Sequence, residues 1–110
     1  MTQSTPVRIQ LSRRAGSRKP ENTVVVARPT VWGNPFPIGK LGREDAVRRF
    51  REMIRDPREM AAWLYPSIGE IKRKLAGRNL ACWCPLPEPG EPDLCHAAIL
   101  LEIANTPDPD

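Results

Sequence analysis

Proline is the residue that most limits what this chain can fold into. Thirteen prolines occur among its 110 residues, against a usual share of about 5%. Each one fixes φ and removes an N–H donor, so proline ends helices and is excluded from central strands. We therefore expect short helices and strands that are separated by many turns. The densest clusters, at residues 29–42 and 85–92, also contain glycine and predict two irregular loops.

The length and composition are typical of one compact domain. A chain of 110 residues with 40% hydrophobic and 27% charged side chains can bury a core, which argues against a disordered protein. We predict a single domain over residues 1–110, with loose termini at residues 1–5 and 106–110. No apolar run approaches the roughly 20 residues of a membrane span. The N-terminal residues also lack the apolar core of a signal peptide, so we expect a cytoplasmic protein without a membrane partner.

Three segments have the pattern of β-strands. Residues 7–11 alternate between apolar and polar side chains, which is typical of a half-buried strand. Residues 23–27 form a continuous run rich in valine, which suits a strand that is buried on both faces. Residues 79–83 predict a third strand. Trp83 lies between two cysteines there, so we expect its side chain on the opposite face, in the core.

Four segments have the pattern of helices. Apolar residues recur at helical spacing over residues 46–54. An Asp-Pro pair at 56–57 predicts the start of a short second helix, and a Ser-x-x-Glu capping box at 67–70 predicts the start of a third. The last helix is expected to run from an N-cap at Asp93 to about residue 104.

The order of these elements predicts how the strands pair. Helices between the second and third strands form a crossover, which most simply makes those two strands parallel. The predicted fold class is therefore α/β, a small sandwich of about three strands, with the central pair parallel, and four helices. Parallel strands end at the same edge of a sheet, where ligands of open α/β sheets bind. The loops 28–42 and 84–93 would open at that edge together.

All three cysteines and the only histidine lie within fifteen positions. Cys82 and Cys84 are two residues apart on a predicted strand, so their thiols share one face. Cys95 and His96 open the last predicted helix, and the proline-rich loop returns them to the same sheet edge. Three thiols and one imidazole form the tetrahedral ligand set that suits a structural zinc ion. We therefore predict zinc as a cofactor, held by these four residues.

Two other interpretations of this cluster stay open. Free cysteines are common core residues, so the three thiols can be buried without a metal. The C-x-C spacing is also shorter than the usual C-x₂₋₄-C of zinc sites. One thiol can instead act as a nucleophile with His96 as its base, although three clustered thiols are unnecessary for that role. No catalytic residue is assigned on this basis.

Basic residues concentrate in the first part of the chain and indicate an anionic partner. Residues 1–60 carry 13 lysines and arginines against 6 acidic residues, whereas residues 61–110 carry 4 against 7. A basic loop at residues 13–19 and the loop after the second strand contain side chains that suit phosphates and bases. The candidate ligand-binding residues are Arg13, Arg28, Trp32, Gly33, Asn34 and Phe36. A rigid loop whose aromatic side chains close the sheet edge explains the same residue types.

Several motifs in combination resemble a known family. They are residues 8–13, residues 18–29, W-G-N-P-F at 32–36, residues 75–86 with C-W-C, and C-H-A at 95–97. Together they resemble an uncharacterised domain-of-unknown-function family of bacteria and their phages, over most of the chain from residue 8 to about 104. The resemblance implies no activity. Its phage members suggest a role in infection or in nucleic-acid metabolism.

Three classes of function follow from these observations. The first is a small zinc-stabilised intracellular module that binds nucleic acid or a nucleotide between residues 28–36 and the last helix. The second is a small nucleotide- or nucleoside-processing enzyme, which a metal with an open coordination position would favour. The third is a phage factor that binds a host protein, which a large exposed apolar patch would favour.

Overall fold

The three predicted strands form one parallel sheet. The computed structural model of the chain describes residues 6–13, 20–36 and 38–106. Strands β1 (Arg8–Gln10), β2 (Thr23–Val25) and β3 (Asn79–Cys82) lie in the order β1-β3-β2. Both pairs are parallel, which confirms the predicted pairing of β2 with β3 and adds β1 to it. The carboxyl ends of all three strands therefore meet at one edge.

The central strand β3 pairs with its neighbours over only a few residues. Leu80 pairs with Arg8 on one side and with Val24 on the other. The backbone N–H of Val26 then donates to the carbonyl of Ala81 at 2.9 Å, just beyond β2. Residues 23–27 were expected to be buried, and Val26 and Ala27 are. The expectation fails for β2, whose three residues are half-buried. The reason is its position at an edge of the sheet, where fewer neighbours cover it.

Five helices accompany this sheet in the part of the chain that the structure describes. They are α1 (Ile38–Leu41), α2 (Arg43–Ile54), α3 (Pro57–Ala62), α4 (Ile68–Leu75) and α5 (His96–Asn105). Helix α5 packs directly against β1 and β3. The four-residue α1 lies in the segment that was expected to be irregular, and it fits there because residues 38–41 contain no proline. None of the helices in the described ranges is long and apolar enough to cross a membrane.

Local capping residues start two of these helices as predicted. The carboxylate of Asp56 accepts a hydrogen bond from the N–H of Arg58 at 3.0 Å, at the start of α3. The hydroxyl of Ser67 accepts from the N–H of Glu70 at 3.2 Å, at the start of α4. The expected cap of the last helix is wrong: Cys95, not Asp93, is the N-cap of α5. The Asp93 carboxylate is paired with an arginine of β1 instead, so it is unavailable to the helix.

The hydrophobic core lies between the sheet and the longer helices. The largest side chains that are completely buried are Phe50, Met53, Ile71, Leu75, Leu80, Leu100, Val26 and Cys95. Six of them belong to α2, α4, β3 and α5. Val26 directly follows β2, and Cys95 ends the loop before α5. Val26 and Cys95 place the core directly against the carboxyl edge of the sheet, so the cluster of cysteines begins where the core ends.

Candidate metal centre and adjoining cavity

Three thiol groups converge at the carboxyl edge of the sheet. Cys82 is the last residue of β3, Cys84 lies two residues further on, and Cys95 is the N-cap of α5. All three are free cysteines, and their sulfur atoms lie within 4.8 Å of one another. A tetrahedral zinc ion with Zn–S bonds of about 2.3 Å holds its sulfur ligands roughly 3.8 Å apart. The three thiols are therefore close enough together to hold a metal ion.

His96 is buried beside this cluster, and its surroundings select one tautomer. The ring atom Nε2 lies 2.8 Å from the carbonyl oxygen of Val26. Because a carbonyl can only accept, Nε2 carries the proton and donates it, which leaves Nδ1 as an acceptor in the neutral ring. Nδ1 lies 4.0 Å from the sulfur of Cys95. Histidines that bind metals are typically oriented by such a bond from the other ring nitrogen.

Contacts among the thiols favour one negative charge in the cluster. Hydrogen bonds from the thiols of Cys84 and Cys95 lower the pKa of Cys82. Hydrogen bonds to Cys82 and Cys84, together with burial, raise the pKa of Cys95. A second thiolate next to the first is therefore unfavourable. A divalent cation between the sulfur atoms would offset that repulsion and let all three ionise.

A buried arginine of β1 links the chain segment that contains Cys84 to the segment that precedes Cys95. Arg8 donates from Nη1 to the carbonyl of Cys84 at 2.8 Å and from Nη2 to the carbonyl of Pro85 at 2.6 Å. Its Nε pairs with the carboxylate of Asp93. Arg8 thus joins the segment that follows β3 to the segment that precedes Cys95. Burial disfavours its charge, but the hydrogen bond to Asp93 and the nearby negative charges outweigh burial and raise the pKa of Arg8.

Arg43, the first residue of α2, makes a similar connection. Its guanidinium donates to the carbonyl of Leu94 at 2.5 Å and to that of Pro85 at 3.3 Å. Sequence reasoning missed both arginines. The alternating pattern of β1 suggests an exposed polar position for Arg8, and its contacts lie at the other end of the chain. The one signal in the sequence was the proline-rich segment at residues 85–92. Prolines lack N–H donors, so this segment needs contacts from other parts of the chain to hold it in place.

A cavity of about 320 Å³ adjoins the cysteine cluster at the same sheet edge. Its described lining consists of Ala27, Arg28, Asn34, Phe36, Gly39, Cys82, Trp83, Cys84 and His96. Arg28 is the one charged side chain of that lining, which contains no carboxylate. The structure therefore brings three candidate ligand-binding residues together with three candidate metal ligands. Trp32 and Gly33 lie in the same loop but outside the lining.

The loop of residues 28–36 uses most of its polar groups to hold itself in place. The side-chain amide of Asn34 donates to the carbonyl of Ala46 at 3.1 Å, and its oxygen accepts from the N–H of Phe36 at 2.9 Å. The Nε of Arg28 donates to the carbonyl of Asn34 at 2.7 Å. Both functional groups of the Asn34 side chain are thus engaged within the chain, and they fix the loop against α2.

The two aromatic side chains of this loop are buried. Trp32 lies in the core, and its carbonyl accepts a hydrogen bond from the hydroxyl of Tyr65 at 2.7 Å. Phe36 packs edge-on against Trp63, with ring centroids 4.9 Å apart. These contacts favour the rigid-loop interpretation for Trp32 and Phe36, in which the aromatics close the sheet edge.

Gly33 and Arg28 approach each other closely within this loop. A Cβ at position 33 would lie 2.9 Å from Cγ of Arg28 and 3.2 Å from its Cα. Glycine therefore allows the backbone at position 33 to approach Arg28 this closely. Arg28 itself is exposed. Its terminal guanidinium nitrogens have no hydrogen-bond partner among the residues that the structure describes. Of the candidate residues in this loop, Arg28 is thus the one with donors available to a ligand.

Trp83 lies at the surface, so the prediction that it belongs to the core is wrong. Its side chain is 45% exposed and lines the cavity. β3 ends at Cys82, so strand alternation no longer directs the next residue inward. The guanidinium of Arg13 lies over the Trp83 ring, 5.0 Å from its centre. Arg13 is therefore next to the cavity, whereas the rest of the predicted basic loop, residues 14–19, lies outside the described residues.

Residues 9–106 of the chain match the family model described as Domain of unknown function (DUF4326). The chain belongs to this family. All candidate metal and ligand residues lie within the matched range, so the cluster and the cavity are features of the DUF4326 domain of this chain. No curated protein and no solved structure matches the chain. The DUF4326 match supports the resemblance to a domain-of-unknown-function family.

Proposed function

We propose that this DUF4326 protein is a zinc-stabilised binding module. Cys82, Cys84, Cys95 and His96 hold one zinc ion, and the adjoining cavity binds an anionic ligand, either a nucleotide or nucleic acid. The observation that carries the proposal is the convergence of three sulfur atoms within 4.8 Å, beside the wall of that cavity.

Zinc suits this set of donor atoms. Thiolates select zinc, copper(I) or iron–sulfur clusters over harder cations, and imidazole suits zinc. The ligand atoms that lie within 4.8 Å of one another are those of the three cysteines and do not include His96. We assign His96 as the fourth ligand because Val26 keeps the proton on Nε2 and leaves Nδ1 available, 4.0 Å from the sulfur of Cys95. Four protein ligands complete a tetrahedral zinc site, so the ion would stabilise the fold rather than react.

The charge around the cavity supports an anionic ligand. Arg28 is exposed in a described lining that contains no carboxylate, and Arg13 lies nearby over Trp83. The amino end of α5 is at the same edge of the sheet and adds a partial positive charge. A guanidinium binds phosphate through paired hydrogen bonds, and the terminal nitrogens of Arg28 are the available donors.

A small nucleotide- or nucleoside-processing enzyme is the second candidate. One observation favours it: Cys82, Cys84 and His96 line the cavity, so a metal would lie next to a bound ligand. A catalytic zinc keeps three protein ligands and one open position for water. The described lining offers no carboxylate as a general base, and His96 is assigned to the metal. The binding module is therefore the better interpretation.

Metal analysis of protein purified under reducing conditions tests the zinc site. We expect one zinc per chain by native mass spectrometry, and no bound zinc in Cys95→Ser. Replacing zinc with cobalt(II) should give a tetrahedral absorption spectrum with thiolate bands. Added cyanide should leave that spectrum unchanged if the site is closed, whereas a change would favour the enzyme. Protein without metal under these conditions contradicts the zinc proposal.

Anion binding is tested separately, by titrating zinc-loaded protein with inorganic pyrophosphate over a series of salt concentrations. We expect the affinity to fall as salt rises, because the contact is ionic. At each salt concentration Arg28→Ala should bind pyrophosphate more weakly than the wild type. Arg55→Ala is the matched control, since Arg55 is an exposed arginine outside the cavity lining. Absent or salt-independent binding would contradict the anion site and leave the zinc site standing.

A further inference from the structure

We infer that Trp83 is the stacking surface for the base of a nucleotide whose phosphate binds Arg28. The inference rests on the proposed function, because it takes the cavity to be the anion site. It deepens that proposal by naming the ligand as a nucleobase joined to a phosphate rather than a bare anion. It also assigns the recognition of the base to a residue that sequence patterning places in the core.

Trp83 is the exposed aromatic residue of the cavity lining, among the residues that the structure describes. Its side chain is 45% exposed, whereas Phe36 in the same lining is buried. Trp63 is similarly exposed at 47% but lies outside the lining. A large flat ring that faces a mostly apolar cavity, with Arg28 in the same lining, is what base stacking requires, since every nucleobase offers a flat π-surface.

The backbone on both sides of Trp83 is held in place. Cys82 and Cys84 flank it, and their sulfur atoms belong to one cluster within 4.8 Å. The carbonyl of Cys84 also accepts the hydrogen bond from Arg8 at 2.8 Å. The indole is therefore presented from a fixed position, which reduces the conformational entropy that binding would cost.

The contact with Arg13 shows that a flat, delocalised group can lie over the indole. The guanidinium carbon of Arg13 is 5.0 Å from the centre of the Trp83 ring. Guanidinium groups and nucleobases both stack on indole rings. Arg28 lies in the same lining, so one ligand can place its base on Trp83 and its phosphate on Arg28.

The test compares the binding of four probes to zinc-loaded protein: adenosine 5′-monophosphate, adenosine, ribose 5-phosphate and a short single-stranded oligonucleotide. We expect Trp83→Ala to weaken adenosine monophosphate binding about 5- to 150-fold, the factor that corresponds to one stacked base. Trp83→Phe should keep most of the affinity, because it keeps an aromatic ring. Leu64→Ala, which changes an exposed side chain outside the lining, is the control and should bind like the wild type.

The other probes separate the base from the phosphate. Ribose 5-phosphate should bind more weakly than the nucleotide. Its affinity should be unchanged in Trp83→Ala and reduced in Arg28→Ala. Comparable binding of the mononucleotide and the oligonucleotide would identify the free nucleotide as a sufficient ligand. Much tighter binding of the oligonucleotide, still dependent on Trp83, would identify nucleic acid as the source of the base. Zinc content is measured for each variant, so that loss of the metal is not mistaken for loss of stacking.

Two results would overturn the inference. One is that Trp83→Ala retains zinc and binds the nucleotide as well as the wild type does. The other is that the base adds nothing to binding, because ribose 5-phosphate binds as tightly as adenosine monophosphate or because neither the nucleotide nor the oligonucleotide binds at all. In each case the pyrophosphate titration and the metal analysis still decide the proposed function independently.

Discussion

Two loops line the cavity and follow neighbouring parallel strands, yet they are held in opposite ways. Residues 28–36, after β2, are fixed by their own side chains, because Asn34 bonds to Phe36 within the loop and to Ala46 of α2. Residues 83–95, after β3, have few bonds of their own. The described ones between backbone groups are from the N–H of Glu91 to Glu88 and from that of Cys95 to Asp93, each at 2.9 Å.

The second loop is held from outside instead. Arg8 and Arg43 bind its carbonyl groups from β1 and α2, and the proposed zinc joins its two ends. The aromatic residues follow the same division: Trp32 in the first loop is buried, and Trp83 in the second is exposed. The stability of a loop that is held by its own side chains should depend on substitutions within that loop. The stability of a loop that is held by other elements should depend on substitutions at residues far away along the chain.

The largest effect is expected from Cys84→Ser, which removes a proposed metal ligand from the second loop. Without zinc the end of β3 is no longer joined to α5, so the free energy of unfolding should fall by more than about 4 kcal/mol. Denaturant unfolding with parallel zinc determination measures this. Wild-type protein treated with a chelator should lose similar stability, whereas the same chelator should have little further effect on the stability of Cys84→Ser. Equal stability of the zinc-loaded and stripped wild type would contradict the proposed role of the metal.

The next effect concerns the external support given by Arg8. Arg8→Met should cost about 3–5 kcal/mol, because it leaves the largely buried Asp93 carboxylate without its charged partner. The Oδ1 atom of Asp93 is already buried without a hydrogen-bond partner within the described ranges. Arg48→Met is the control, since the Arg48–Asp45 pair is exposed and its loss should cost less than about 1 kcal/mol. Equal losses of unfolding free energy in the two variants would show that Arg8 does not support the loop.

A smaller effect is expected within the first loop. Gly33→Ala places a Cβ 2.9 Å from the side chain of Arg28 and 3.2 Å from its backbone, and should cost about 1–3 kcal/mol. Gly39→Ala in α1 meets no atom within 4 Å and should leave stability unchanged or raise it by up to about 1 kcal/mol. Thermal unfolding compares the two variants. Both should retain zinc, and loss of zinc from Gly33→Ala would show that the loops are not independent.

The smallest effect is expected from Trp83→Ala. Because the indole is half exposed, its removal should lower the free energy of unfolding by about 1 kcal/mol or less. Trp32→Ala, in the first loop, removes a buried indole and should cost about 3–5 kcal/mol. Denaturant unfolding of both zinc-loaded variants gives the comparison. A larger loss for Trp83→Ala than for Trp32→Ala would reverse the division between the loops.

Features that depend on neighbours in sequence could be predicted. The caps at Asp56 and Ser67 need only a side chain and an N–H a few residues away, and both are observed. The crossover rule indicates the parallel pairing of β2 with β3. The sequence also predicts that the thiols of Cys82 and Cys84 lie close together, which is observed, although β3 ends at Cys82 and strand alternation does not extend to Cys84. The clustering of Cys95 with them was also visible in the sequence.

Features that depend on distant residues could not be predicted. Arg8 meets Asp93, 85 residues further on, and no local pattern marks that contact. The use of both functional groups of Asn34 requires the carbonyl of Ala46 from another element. Trp83 was misplaced because the strand ends one residue earlier than its pattern suggests. A residue's part in the site was therefore hardest to predict where its partner comes from a remote segment.

The strand order β1-β3-β2 also determines when this sheet can form. Leu80 of β3 pairs with both Arg8 and Val24, so every strand pairing joins segments separated by half the chain or more. Such high contact order slows folding, because long loops must close before any pairing is gained. During synthesis β1 and β2 leave the ribosome without a partner, and their unpaired edges are open to association with other chains until residues 79–82 follow. The yield of folded protein should therefore depend on translation rate and on chaperones that shield unpaired strands.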